Sequence, residues 1–295
     1  MVKSGIVSVV ITGGEPFLHP RINDICNLAI ERFISITILS NGMFLHKSKE
    51  WLMSIKSKRR VGFSISLDGA NEFANCITRK DSDTELIWNN ARMLRDIGFT
   101  VDIACTVTRK LTKEAIYELA DRAEYEELKF LKFLPLLPVG MAKQNWSVLS
   151  PSIDMIKFIH LYCRNNTRNI SVSTGFSDFL FSDSSSCVED GSRKLMGCSA
   201  GHDGIAINCV GDVYPCNAWP KPMGNIFECD LEDILSNSPI AQEIRNARNS
   251  SVVEIDECFG CEYSSVCYGG CRAVAYSMHG DIMAIDPYCW HRGGL

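Results

Sequence analysis

Long apolar runs are missing from this 295-residue chain; the longest are short, and Ser8 interrupts the one at residues 6–11. A membrane-spanning helix needs about 20 such residues. The first residues also lack the charged, apolar and cleavage regions of a secretory signal, so the expectation is a cytoplasmic protein with no membrane partner. An excess of positive charge is absent too. Lys and Arg number 30 against 35 Asp and Glu, a net charge of -5, which removes the electrostatic footprint of a nucleic-acid binder. No internal repeat or low-complexity segment occurs, which excludes repeat architectures. What remains is an ordinary globular composition, 46% hydrophobic and 22% charged, long enough for one large or two moderate domains.

Cysteine, by contrast, is plentiful. In a reducing compartment the 14 cysteines would stay as thiols, which favours metal or cluster binding over disulfides. Seven of them form one pattern: Cys198, then Gly211 and Cys216, then Cys258-x2-Cys261-x5-Cys267-x3-Cys271, and finally Cys289. Thiolates two residues apart curl round one metal or cluster, so coordination rather than an apolar core is expected to hold this segment together. A zinc-ribbon module is the alternative, but zinc sites take ligands in fours. Two four-iron clusters bound only by cysteine would need about eight thiolates, so one iron needs a further ligand. Cys187, Cys209 and Cys229 are near enough in sequence to be candidates.

Upstream, β-branched apolar runs alternate with helical spacing. Residues 7–12, 34–39, 61–67, 99–107 and 128–134 read as strands, the first as a strand buried on both faces. Helices are expected after Pro20, at about 46–58, 84–97 and 112–126, and from a Ser150 or Ser152 cap through 165. This alternation argues a parallel βαβ architecture, which binds ligands at the carboxyl ends of its strands. Gly13-Gly14-Glu15-Pro16 ends the first strand: paired glycines turn sharply and expose N–H groups, and Pro16 fixes the exit. The serine-rich stretch 171–197 reads as a connection, giving an N-terminal domain at 1–170 and a C-terminal one at 198–295.

The seven-cysteine pattern, with Gly211-Asp212-Val213-Tyr214-Pro215-Cys216, Gly269-Gly270-Cys271-Arg272-Ala273 and Asp286-Pro287-Tyr288-Cys289, resembles the SPASM domain of radical S-adenosylmethionine (SAM) enzymes. Gly13, Gly14, Glu15 and Pro16 resemble that family's GGEP motif, which holds the ammonium group of SAM. The stretch Ile65 to Gly69, with Arg79 downstream, resembles its fourth-strand region, where Ser66 and Arg79 would help hold the carboxylate and ribose. The resemblance implies an α/β fold: a partial parallel (β/α) barrel of the radical SAM type lacking its first strand, followed by a small cysteine-rich iron–sulfur domain. It also implies two auxiliary four-iron clusters, Cys198, Cys216 and Cys271 serving one and Cys258, Cys261, Cys267 and Cys289 the other.

The function implied is an oxidoreductase-type enzyme that modifies a peptide or small protein through a 5′-deoxyadenosyl radical, supplied with electrons by a reductant such as flavodoxin or ferredoxin. The Cys-x3-Cys-x2-Cys triplet that holds the family's SAM-cleaving cluster does not occur in these residues. They are therefore expected to bind that third cluster only with a restored N-terminus, and to be inactive as they stand. A sequence that starts late is the first explanation; a pseudoenzyme, or a split enzyme completed by a partner, is the other. A non-catalytic iron–sulfur protein for electron transfer or peptide binding is the alternative function. Asn217 stands where anaerobic sulfatase-maturating enzymes carry a proton-accepting aspartate, which points away from sulfatase maturation and towards a ribosomally made peptide. Cys26, Cys76, Cys105 and Cys163 read as small buried hydrophobes, and His19 and His202 as ordinary satisfied groups.

Overall fold

Six strands pair in sequence order, every one parallel to its neighbour: β1 (Ser8–Ile11), β2 (Ser35–Ser40), β3 (Val61–Ser66), β4 (Thr100–Val107), β5 (Phe130–Pro135) and β6 (Ser171–Thr174). The computed structural model describes residues 5–174, 200–201, 204–249, 255–261, 267, 269–289 and 291. Between the strands run α1 (Ile22–Arg32), α2 (Lys49–Ser54), α3 (Glu72–Asn75), α4 (Thr84–Ile97), α5 (Lys113–Tyr125), α6 (Gly140–Gln144), α7 (Trp146–Leu149) and α8 (Ile153–Arg164).

Alternation along the strands divides the sheet into two faces. Ile36, Ile38, Phe63, Ile65, Val101, Ile103, Leu131 and Phe133 are buried in the apolar core. Many of the intervening positions are polar or small, with Leu39, Phe130 and Leu134 among them: the register sets Thr37 beside Gly62, Ser64 beside Asp102, and Ala104 beside Lys132. On that second face Lys132 Nζ meets Asp102 Oδ2 at 2.6 Å. Caps fix where the longer helices start. The side chain of Asp83 accepts from Leu86 N, that of Thr112 from Ala115 N and that of Ser152 from Met155 N, and α4 ends on left-handed Gly98.

Three expectations need correction. The first strand is not buried on both faces: among the described residues β1 pairs only with β2, and Val10 is 56% exposed. An apolar run reads alike at the centre and at the edge of a sheet, because the sequence does not show how many neighbours a strand has. The strand count is six rather than five, since residues 171–174, read as the start of a connection, pair with β5. Only Val172 of that strand is buried, so Ser171-Val172-Ser173-Thr174 has the composition of a loop. The basic helix at 46–58 is shorter, a 3-10 turn at Leu45–Ser48 leading into α2.

The chain forms two compact units that do not follow sequence order. One comprises the chain up to Pro135 and from Tyr162 through β6; the other comprises Leu136–Leu161 and the described residues from Ala200 onward. The second contains a three-stranded antiparallel sheet of β7 (Ala206–Ile207), β8 (Asp212–Tyr214) and β9 (Gly224–Asn225). With it come α9 (Leu231–Asn237), α10 (Pro239–Asn249) and α11 (Arg272–His279).

The turn after β3 is the most constrained part of the first unit. A Cβ at Gly69 would lie 2.5 Å from the Ala74 side chain and 2.6 Å from its backbone, whereas one at Gly14 would meet no atom within 4 Å. Asn75, fully buried, accepts from Asp68 N and donates to the hydroxyls of Ser82 and Thr84. Gly69→Ala is therefore expected to destabilise the sheet unit by about 1–3 kcal/mol through overpacking. Gly14→Ala should stay within about 0.5 kcal/mol. Denaturant titration of the two variants measures the difference, and equal midpoints would contradict the packing argument.

Candidate functional site

Strands that run parallel bring their carboxyl ends to one edge of the sheet, so loops distant in sequence gather there. The first is Gly13-Gly14-Glu15-Pro16. Gly13 has φ of 146°, a conformation that other residues avoid, and among the described residues no non-neighbouring atom lies within 4 Å of where a Cβ would stand at either glycine. The Glu15 carboxylate is held tightly. It accepts from Phe17 N at 3.1 Å, Ser40 Oγ at 2.8 Å and Asn41 N at 2.6 Å, which ties this loop to the end of β2. Pro16 opens a short 3-10 turn capped by Glu15, as its fixed φ allows.

The end of β3 supplies the next group. Ile65 pairs with Ser40, and Ser66, one residue on, sits on the polar face in register with Ala104. Asp68 follows, only 6% exposed. Its carboxylate accepts from Thr78 Oγ1 at 2.7 Å and Thr106 N at 2.6 Å, and pairs with Arg79 Nε at 2.8 Å. Arg79 Nη2 lies 3.3 Å from the other carboxylate oxygen, so the guanidinium is docked side-on with about a quarter of the side chain exposed. Sequence reading singled out Ser66 and Arg79 but gave no role to Asp68. The signal was available, as a buried-strand aspartate with an arginine eleven residues on needs a partner. Beside it a cavity of about 260 Å³ is lined by Thr106, Thr108 and Lys110 on one side and by Phe73 and Ile77 on the other.

In the second unit the described cysteines fall into two surroundings. Cys216 and Cys271 pack against one apolar cluster, formed by Ala218, Trp219, Ile244, Ala273 and Ile282. Cys258 packs with Ile255 in another. Burial pushes the Cys258 thiol up, and the charges of Cys289 and Cys261 add to this against the opposing Arg272 guanidinium. Burial likewise takes Cys267 up to about 12, with Cys289, Asp286 and Cys258 adding to it. Thiols that raise one another's proton affinity in a buried pocket become thiolates only beside a strong cation, the donor set an iron–sulfur cluster requires. Among the described residues no group of three or more such side chains converges as a single metal ion would need. A multi-iron cluster takes each thiolate at a different iron and so uses a wider spacing.

Loop chemistry fixes these cysteines. Asp286, 4% exposed, accepts from Cys271 N at 2.7 Å and from Tyr288 N at 2.9 Å, joining the segments that carry Cys271 and Cys289. Gly270 has φ of 80°, and a Cβ there would lie 2.4 Å from the Asp286 carboxylate. Arg272, also buried, donates to the carbonyls of Ile282, Ala284 and Gly269. Cys198, Cys187 and His202 lie outside the described residues.

Comparison with known proteins bears on the same two regions. The Radical SAM superfamily profile matches residues 1–123, and the SPASM iron–sulfur cluster-binding domain matches residues 198–262. A radical SAM domain and a SPASM domain thus occur in this one chain. The antilisterial bacteriocin subtilosin biosynthesis protein AlbA of Bacillus subtilis is 27% identical over 91% of this radical SAM chain and 57% of its own length. An AdoMet-dependent heme synthase of Methanosarcina barkeri is 25% identical over 97% of the chain and 83% of that protein. Streptococcus suis SuiB, solved with S-adenosylmethionine, superposes with a TM-score of 0.72 at 20% identity, covering 96% of this chain and 66% of that one. The chain thus spans little more than half the length of AlbA and under two thirds of SuiB.

The remaining cysteines divide by burial. Cys26 and Cys105 are fully buried as expected, and burial takes the Cys26 thiol up to about 12. Cys76 is exposed, against expectation, because α3 is a single short turn that leaves its C-cap at the surface; Cys163 is half-buried. Cys209 and Cys229 are exposed, His19 is a surface group whose Nδ1 accepts from Arg21 N, and Asn217 is an exposed turn residue. Iodoacetamide at neutral pH is expected to modify Cys76 while leaving Cys26 and Cys105 untouched, as peptide mass spectrometry would read. Comparable modification of Cys26 would contradict the burial described.

Proposed function

We propose that this chain is the SAM-binding and auxiliary-cluster part of a radical SAM enzyme that modifies a peptide or small protein. The observation that carries the reading is the Gly13-Gly14-Glu15-Pro16 loop. Its glycines leave open space at the carboxyl edge of a parallel sheet, the edge at which the Asp68–Arg79 pair also lies, two strands away. When bound, SAM and a reduced four-iron cluster together supply a carbon-centred radical that removes a substrate hydrogen; the protein's share is placement. Backbone carbonyls of Gly13 and Gly14 accept from the ammonium group, and Glu15, already held by Ser40 and Asn41, fixes that loop. Ser66 donates a hydrogen bond to the SAM carboxylate, and Arg79, held at Asp68, faces its charge.

In the second unit Cys198, Cys216 and Cys271 hold one auxiliary cluster, and Cys258, Cys261, Cys267 and Cys289 hold the other. A flavodoxin- or ferredoxin-type reductant supplies the electrons. A peptide substrate is supported by the names of AlbA, a bacteriocin biosynthesis protein, and of SuiB, solved with its precursor peptide SuiA. Asn217, exposed after Cys216, offers an amide where a sulfatase-maturating enzyme needs a base. The reading therefore favours ribosomally made peptides over sulfatases.

Anaerobic reconstitution is expected to load about eight irons and eight sulfides, two four-iron clusters, onto the SPASM region. Stoichiometric zinc with little iron would refute the cluster assignment. Calorimetric titration with SAM tests the other half. Ser66→Ala should weaken binding about two- to tenfold, the worth of one hydrogen bond, and Arg79→Ala about tenfold or more, the worth of one to a charge. Unchanged affinity in both variants would remove these residues from the site.

A further inference from the structure

Trp219 is a buried donor with nothing to donate to. The residue is 4% exposed, and its Nε1–H has no hydrogen-bond partner among the described residues. Buried indole N–H groups normally find an acceptor, and leaving one unmade costs about 1–3 kcal/mol. The buried side chains of its cluster, Ala218, Ile244, Ala273 and Ile282, offer no acceptor atom, and the partly buried ones packed on it that could accept are Cys216, Cys271, Met283 and Tyr276, none of them bonded to the indole. Yet the position of the ring is closely determined. Trp219 N bonds to the carbonyl of Cys216 at 3.3 Å, and the indole stacks on Tyr276 with centroids 4.9 Å apart and planes 19° from parallel. Tyr276 belongs to α11, the helix whose N-cap is Cys271. One stacked pair thus joins the two cysteine-bearing segments, and the indole N–H is left unpaired within the apolar cluster on which Cys216 and Cys271 pack.

We infer that the Trp219 indole N–H donates a hydrogen bond to a sulfur of the iron–sulfur cluster held at Cys216 and Cys271, and so raises that cluster's reduction potential. The inference rests on the proposed role of those cysteines as cluster ligands. A sulfur next to iron is an acceptor that burial does not remove, and it becomes more basic when the cluster gains an electron. A fixed donor therefore favours the reduced form. Trp219 carries no charge and does not titrate, so its effect is the same across the working pH range.

The test compares wild-type protein with Trp219→Phe after anaerobic reconstitution, because Phe keeps an aromatic ring on Tyr276 and removes only the N–H. Iron and sulfide are measured first, then midpoint potentials by redox titration followed by electron paramagnetic resonance. The expected result is unchanged iron and one of two potentials lowered. The shift should be about tenfold in the reduction equilibrium, ~59 mV for one electron. In wild type the reduced cluster should show coupling to a proton exchangeable in D2O, and that coupling should vanish in Trp219→Phe. Full iron with unchanged potentials and coupling would overturn the inference, as would equal shifts of both potentials, the mark of a general packing change. Failure of wild type to bind iron at all would show instead that the cysteine assignment is wrong, and the inference would fall with it.

Discussion

The Asp68 carboxylate is the contact on which the candidate SAM site depends. It leaves the end of β3, takes the backbone N–H of Thr106 at the end of β4, and holds both Thr78 and Arg79 on the loop between them. A carboxylate this buried is tolerable only because a charge and several donors meet it. Taking one donor away would leave the buried carboxylate under-satisfied, a cost that favours the arrangement in which all of them meet it. Asn75 repeats the device one layer down, fastening Asp68 N to the start of α4 through Thr84. The parallel sheet decides which edge the ligand uses; these two polar side chains decide the shape of that edge.

Much of this was legible in the sequence where the residue type itself carries the signal. The Gly13-Gly14-Glu15-Pro16 turn, the strand–helix alternation and the seven-cysteine spacing each follow from local chemistry: positive φ, buried apolar periodicity, thiolate hooks. What stayed hidden was relational. That the Glu15 carboxylate reaches Ser40 and Asn41, 25 and 26 residues away, is a property of two neighbouring strands and of neither alone. β6 was missed because a strand that buries only Val172 has no hydrophobic pattern to read, and the exposure of Val10 because the apolar run of β1 reads as buried on both faces even at the sheet edge that the absent first strand leaves there. Cys76 was misplaced for the same reason, since apolar neighbours in sequence did not become neighbours in space.

The second unit follows a different principle from the first. Its strands are two or three residues long, and its apolar clusters are small, so hydrophobic burial alone gives it little to stand on. Order comes also from polar side chains that each serve two partners. Asp286 collects the N–H groups of Cys271 and Tyr288, and Asn225 donates to the carbonyl of Val210 and the carboxylate of Asp212. Glycines at 211 and 270 permit these approaches, as any side chain there would collide with Phe227 or Asp286. The family words quoted around the cysteines are thus the frame that aims the thiols.

Arg272 carries this one step further. Its guanidinium binds the carbonyls of Gly269, Ile282 and Ala284, joining the loop before Cys271 to the loop that leads towards Cys289, and none of those bonds involves sulfur. The register of these two loops is thus set by bonds that the protein makes alone. A cluster at the proposed cysteines would meet a frame whose aim does not depend on it, so residue 272 bears on how the ligand segments are presented as well as on packing.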